Sequence, residues 1–449
     1  MHPVLLGSVL VRCADALRGE TIQTIQFTGA SSEHRWSVGD LDPEFPTDWS
    51  DYAYLVLELR AATPQRFYLG VQTAGGLRGI RLQPFGQGTW LRAAIPLSYF
   101  QGRDGQGHDM ASAGNRPRSS YWFSVSGPFG TLEGVEALTV RMEHPVGEPH
   151  LDVRLLGLAS EDPGSEILEA LPVIDVFGQW RPGDWPGKVR NLGQLRVTWD
   201  QESERLLPGK FGYGRYGGYR EHKAEATGFF RVEQRDGRWW FVDPDGCLFL
   251  STGANVMRLH MATPLAGREA YFAALPPAEL APPALMGHRG PQASFFTWNL
   301  LRRFGPDWQR QWAALTVRRL DAWGFNTMYP GGPELIEAQP RKAYVTTVRG
   351  WPMEATYLGL PDVYAEDFAQ QVDAAAAREC APRKDDPYLL GYFIGNEPPW
   401  PGHEVKVVDM VLAGPTTAIQ RQARQFLLAG DTPERRVSFV LAAFERYLA

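Results

Sequence analysis

The sequence predicts a multidomain chain: an N-terminal all-β sandwich of jelly-roll type, followed by an incomplete parallel α/β barrel. Three observations predict it. Up to about residue 160, short apolar or alternating runs recur between clusters of Gly, Pro, Asp and Asn. From about residue 226, strand-like and helix-like patterns alternate, which implies a parallel sheet covered by helices. Polar residues then fall at the carboxyl ends of those strands, the edge where such barrels carry their chemistry.

The first region, 1–160, offers strands at 52–59, 67–73, 90–95, 122–126, 138–142 and 151–156. Short strands separated by regular turn signals suit a sandwich. Ala53, Leu55, Leu57 and Leu59 alternate with Tyr52, Tyr54 and Glu58, the pattern of a strand with one buried face. Residues 161–225 read as a connector rich in Pro-Gly pairs, ending in a glycine-rich run at 209–218. That run is not a phosphate loop: no strand leads into it and no Lys-Ser/Thr closes it. It reads as irregular chain packed on a neighbouring domain.

The third region, 226–449, opens with a hairpin, its arms at 238–242 and 247–251 joined by AspProAspGly at 243–246. The second arm runs on to Asn255 as the first barrel strand. Gly305-Pro306-Asp307 starts a helix with Trp308, Trp312, Leu315 and Leu320 near one face, and Gly324 stops it. Strands follow at 325–329 and 343–348, and then a helix carrying Phe368, Val372 and an alanine run. A buried fourth strand, 388–395, delivers Asn396 and Glu397. Beyond it the apolar spacing is helical to the end of the chain.

Bulk properties narrow the functions. Of 449 residues, 44% are hydrophobic and 21% charged, and the net charge is −6 with no block of one sign. Nucleic acid and anionic membrane are therefore not expected partners, since both require a concentrated basic face. The three cysteines, Cys13, Cys247 and Cys380, form neither a disulfide framework nor a metal-ligand spacing, and read as buried free thiols. No metal or other cofactor is expected. The start, MetHisProValLeuLeu, lacks the basic segment and cleavage site of a secretory signal. A secreted or periplasmic location is an expectation for longer relatives only.

The chemistry centres on IleGlyAsnGluProProTrp at 394–400. Cleaving a glycosidic bond requires a carboxylic acid that protonates the departing oxygen. Apolar or aromatic walls keep such an acid protonated near neutral pH. Glu397, between an apolar strand and Trp400, suits that role. Trp400 and Trp351 offer aromatic planes to sugar rings, with Trp298 a weaker choice. Asn255 and Tyr329 stand at strand ends where hydroxyl groups would bind, as does His260. Trp36, Trp49 and Trp122 in the sandwich are candidates for polysaccharide binding, with burial in its core the stronger expectation.

The stretch from about 228 to 400 resembles the clan-A glycoside hydrolases, and among them the agarase-like members. The resemblance rests on residues 236–246, on TrpGlyPheAsnThr at 323–327 and on 386–400. It implies that Glu397 is the general acid/base of a retaining hydrolase and that Asn396 contacts the hydroxyl beside the reacting carbon. It also implies a polysaccharide or oligosaccharide substrate, a β-linked galactan or similar, and a carbohydrate-binding-like sandwich at 1–160. The clan's nucleophile is a Glu ending strand seven. Only 52 residues follow Glu397, whereas four further βα units of a barrel of about 250 residues take about 120. The chain therefore reads as the N-terminal half of a barrel, truncated before its nucleophile and with little turnover expected. Glu334, Glu337 and Glu354 are weak substitutes, each more commonly a solvated surface residue. The rival readings are a non-catalytic carbohydrate-binding protein and an inactive fragment.

Overall fold

The computed structural model describes residues 4–6, 9–13, 22–102, 115–117, 121–125, 128–207, 209–257, 261, 263–280, 291–339, 341–352, 357–395 and 397–448. The chain forms two compact units. One comprises residues 1–190 and 262–295, the other 191–261 and 296–449.

The first unit is built on two antiparallel sheets. One orders Val4–Leu6, Val9–Cys13, His150–Ala159, Tyr54–Ala61, Trp90–Pro96 and Glu166–Ile167, and Gln23–Gln26 also pairs with His150–Ala159. The other orders Ser31–Ser37, Val135–Glu143, Phe67–Thr73, Gly76–Pro84, Tyr121–Val125 and Asn115–Pro117. All six strands expected in this region are present within a few residues of their bounds. Leu55, Leu57, Leu59, Leu69, Val71, Ile80, Leu82, Leu91 and Ile95 share one core, as period-2 alternation dictates. Trp36 and Trp49 are part of it, their indole N–H groups donating to Gln23 (2.7 Å) and to the Pro46 carbonyl (2.8 Å).

One detail differs from the alternation. Glu58 is also buried, because the second face of its strand is covered by an ion-pair network. Arg92 and Arg154 each donate to its carboxylate at 3.0 Å. Arg60 pairs with Asp152 at 2.7 Å, and Arg60 and Arg154 both lie over the Trp90 ring. A central strand between two covered faces has no solvent side on which to leave a bare carboxylate.

The second unit contains Glu397. Its antiparallel sheet orders Tyr219–Lys223, Cys247–Phe249, Arg238–Val242 and Arg231–Arg235. The predicted hairpin is present, and buried Asp243 ties its turn by accepting from the N–H groups of Asp245 and Cys247. The connector is less irregular than expected, since Leu192–Arg205 is a helix capped by the Asn191 side chain. Glu202 on that helix is held by Arg303 and Arg319. Burial alone would raise its carboxyl, but these two partners bring it below the ordinary range.

Four parallel strands follow in sequential order: β1 (Gly253–Met257), β2 (Thr327–Pro330), β3 (Ala343–Thr347) and β4 (Leu389–Phe393). Helix α1 (Trp308–Trp323) connects β1 to β2 and α2 (Phe368–Glu379) connects β3 to β4. Trp308, Trp312, Val317 and Leu320 of α1 pack with Met328 and Tyr344 from one face of the sheet. Gly324 ends α1 with φ 80°, a left-handed conformation that glycine adopts without a Cβ clash. The fourth strand is less buried than expected: Phe393, on the other face, is 51% exposed. After it come α3 (Glu404–Ala413), α4 (Ala418–Leu427) and α5 (Pro433–Leu448). Val407, Val411, Ile419, Ala423, Phe439 and Val440 make their common core.

No described helix is long and apolar enough to cross a membrane, and no group of three or more metal-ligating side chains occurs among the described residues.

Candidate active site

At the carboxyl edge of the parallel sheet one expected residue, Tyr329, meets two others. Tyr329 is the last residue but one of β2, and its hydroxyl shares a hydrogen bond with the Thr347 hydroxyl at the end of β3. Thr347 is the register partner of Phe393 on β4, and the Phe393 ring meets Tyr329 edge-on at 5.7 Å. Asn255 lies exposed on β1. Thr347 and Phe393 were not singled out from sequence. The signal was present in the alternation of β4, which puts Gly391 and Phe393 on the same face.

Glu397 lies four residues beyond Phe393. It is exposed and forms no ion pair with any described residue. Its φ is +46°, in the left-handed region that costs a residue with a Cβ about 1–2 kcal/mol. Pro398 follows directly, and a proline restricts the preceding residue further, towards extended conformations. Such strain gathers where a fold over-determines the position of a functional group.

The wall expected around Glu397 differs from the sequence reading. Trp400 is not an open platform. It is 7% exposed and packs on Phe444 of α5 at 4.8 Å, inside the core of the C-terminal helices. The physical reason is that the Pro398-Pro399 turn carries the chain back over apolar residues that need covering. Trp351 is half-buried after β3, edge-on to Tyr447 at 6.3 Å. It lines a cleft of about 830 Å³ together with Tyr364, Phe368, Ile394 and Arg446. Ile394 links this cleft to the end of β4.

Other expectations resolve differently. Asn396, His260 and Glu354 lie outside the described residues, as does the side chain of Trp122. Trp298 lies under the Arg302 guanidinium at 3.6 Å. Glu334 and Glu337 fall in and just after the short helix Pro333–Ile336. Cys247 is a buried free thiol as expected, whereas Cys380 is only half-buried.

Asn326, expected within the strand at 325–329, precedes β2 instead and is 1% exposed. Its side chain accepts from the Thr252 N–H (2.9 Å) and donates to the Gly217 and Leu250 carbonyls (3.0 and 2.9 Å). The motif 323–327 is therefore a structural knot at the amino edge of the sheet. Asp386 does similar work before β4, accepting from Arg341 (2.5 Å), the Tyr344 hydroxyl (2.9 Å) and the Tyr388 N–H (3.0 Å). Burial alone would raise this carboxyl, but the three donors hold it below the ordinary carboxylate range. Burial, and then the bond to Asp386, push the Tyr344 hydroxyl well above the usual phenol range.

The chain contains a unit built on two antiparallel sheets and a unit with a parallel β/α sheet, the latter carrying a strained carboxylate beyond its last strand. The chain is related in sequence to agarase-type glycoside hydrolases. It is 25% identical over 427 aligned positions to beta-agarase B of Vibrio sp. (strain JT0107), covering 79% of this chain and 43% of that protein. To beta-agarase A of the same strain it is 27% identical over 266 positions, covering 51% and 26%. The chain thus spans less than half the length of these curated relatives. No family model matches it. Among solved structures, the fold is shared with an agarase, AgWH50C (TM-score 0.61, 20% identity, covering 100% of this chain and 74% of that one). It is shared also with an exo-beta-agarase (TM-score 0.59, 20% identity, covering 95% and 68%).

Proposed function

We propose that this chain carries the acid/base half of a retaining glycoside hydrolase acting on agarose or a similar β-linked galactan, with Glu397 as the general acid/base. The observation that carries the reading is Glu397 itself, a carboxylate with no ion-pair partner among the described residues, in a strained left-handed conformation between the last parallel strand and two prolines. The sequence similarity to beta-agarases supplies the substrate class. In the first step Glu397 gives its proton to the glycosidic oxygen as the bond to the anomeric carbon breaks and a second carboxylate attacks that carbon. In the next step the Glu397 carboxylate takes a proton from water, which displaces the second carboxylate and restores the acid.

Asn396 takes the hydroxyl beside the anomeric carbon. Phe393, Tyr329 and Asn255 form the sugar-facing floor, and Trp351 a wall of the adjoining cleft. The four sequential parallel strands are in this reading the first half of an eight-stranded barrel, and the sandwich is carbohydrate-binding-like.

The test is release of reducing ends from agarose by protein containing this chain. Glu397→Gln should lower the rate by about 10²–10⁴-fold, the usual worth of a positioned proton donor. With an aryl galactoside, whose leaving group needs no proton, azide should speed turnover by Glu397→Ala and give the glycosyl azide, because the anion attacks the covalent intermediate without a base. Undiminished release by Glu397→Gln would overturn the assignment. Retention on agarose with no cleavage by the unsubstituted protein would favour a carbohydrate-binding role instead.

A further inference from the structure

The glycine-rich run 209–218 has no part in the reading above. It follows the helix Leu192–Arg205 and leads into Tyr219–Lys223. Gly212 and Gly217 take positive φ, 73° and 98°, which lets the run fold back on itself. The Gly214 N–H donates to the Gly218 carbonyl (2.7 Å) and the Arg220 N–H to the Gly212 carbonyl (3.0 Å).

The loop is fixed at the amino edge of the parallel sheet, opposite the edge that leads to Glu397. The Tyr213 hydroxyl donates to the Gly324 carbonyl at 3.2 Å. The Phe211 ring lies across Gly324, where an added Cβ would meet it at 2.8 Å. Between loop and edge is a cleft of about 550 Å³. Phe211 and Tyr213 stack in it at 5.8 Å with 27° between their planes, and Phe211 is 43% exposed. Lys210 and Arg220 line the same cleft and are exposed. Neither side chain makes a hydrogen bond or ion pair with any described residue. The acid of the cleft, Asp321, is already neutralised by Lys342.

Two unpaired cations beside a partly exposed aromatic pair are therefore concentrated in one cleft of a chain whose net charge is −6. An aromatic face accepts the CH face of a sugar ring. Guanidinium and ammonium groups donate charge-assisted hydrogen bonds to an oxyanion. The lining holds no Asn, Gln, Ser or Thr with which to read the edge of a nucleobase. We propose that this cleft binds a sugar carrying a sulfate or phosphate ester. The ring lies against Phe211, and Lys210 and Arg220 hold the ester oxygens. The site is independent of the hydrolase reading, because it shares no residue with it and lies at the other edge of the sheet.

Isothermal titration calorimetry of the whole 449-residue chain tests this. The probes are galactose esterified with sulfate or with phosphate at its primary hydroxyl, unmodified galactose, inorganic sulfate and adenosine monophosphate. One or both esters should bind at least about tenfold tighter than unmodified galactose or inorganic sulfate, a difference of about 1.4 kcal/mol. Whichever ester binds tighter identifies the anion. Lys210→Ala with Arg220→Ala should weaken ester binding by about tenfold or more while the melting temperature is unchanged, since both side chains are exposed. Phe211→Leu should weaken it through loss of the ring face. The proposal is overturned by no binding of either ester, by equal binding to the doubly substituted chain, or by tighter binding of adenosine monophosphate.

Discussion

At the scale of single residues, carboxylates in this chain are sorted by what surrounds them. Glu58 and Asp243 are buried and Asp386 is half-buried, and each is engaged by donors, so they hold structure. Glu397 is exposed and strained, and no described residue forms an ion pair with it. Asp386 gives a testable pH dependence. Its folded-state carboxyl lies below the ordinary value of 3.8, so its contribution is present in full above that value. It is lost as pH falls through the lower folded-state value. Asp386→Asn should cost about 2 kcal/mol near neutral pH, the worth of hydrogen bonds to a charged group. In urea denaturation the gap between the two proteins should close as pH falls below the ordinary carboxylate value. A gap of constant size from neutral to strongly acid pH would count against this account. Asn326 makes the complementary point: an amide next to a strand reads as a ligand-binding residue until its bonds to Thr252, Gly217 and Leu250 are seen.

At the scale of elements, termini determine where side chains arrive. Helix α1 ends at Gly324 because its left-handed cap lets the chain turn straight into β2, with the cap N–H bonded to carbonyls of the last turn. Gly324→Ala should lower stability by about 1–2 kcal/mol from the backbone conformation alone. The new methyl group would also meet the Phe211 ring, so thermal melting should show a loss at the upper end of that range or beyond. An unchanged melting temperature would mean that the turn relaxes freely. The hairpin at 238–249 and the strands β2 to β4 were legible from apolar runs bounded by Gly and Pro. The helix Leu192–Arg205 was not. Its mean hydropathy is low and only Leu195 is buried along it, so it lacks the apolar stripe by which an amphipathic helix is recognised.

At the scale of the whole molecule, the chain does not divide at one point. Residues 262–295 belong with the sandwich. Within that unit the N–H groups of Val173 and Ile174 donate to the Tyr271 carbonyl, at 2.9 and 2.8 Å, and Ala273 donates back to Ile174. Phe272 stacks on Phe295 at 5.6 Å, and Phe295 packs where Gly178 has no side chain. A fragment of residues 1–190 alone should therefore fold its sheets but leave 168–190 poorly protected. Hydrogen exchange at Val173 and Ile174 should be faster in that fragment than in the entire chain, because an amide without its acceptor opens locally. Equal protection in both would mean that 262–295 is dispensable to the unit.

The amino-acid sequence by itself determined the sandwich strands, the order of strands and helices after residue 226 and the likeness to agarases around 386–400. Each of these depends on local periodicity or on contiguous residues. Only the tertiary structure decided that Trp400 faces the helical core and that Phe393 and Thr347 join Tyr329 at the sheet edge. Only it decided that Glu58 is buried, that Asn326 ties loops together and that 262–295 returns to the first unit. These depend on partners up to about a hundred residues away in the chain, such as Asn326 and Gly217 or Glu58 and Arg154. A side chain's role is set by which distant groups reach it, and no window of neighbouring residues records that.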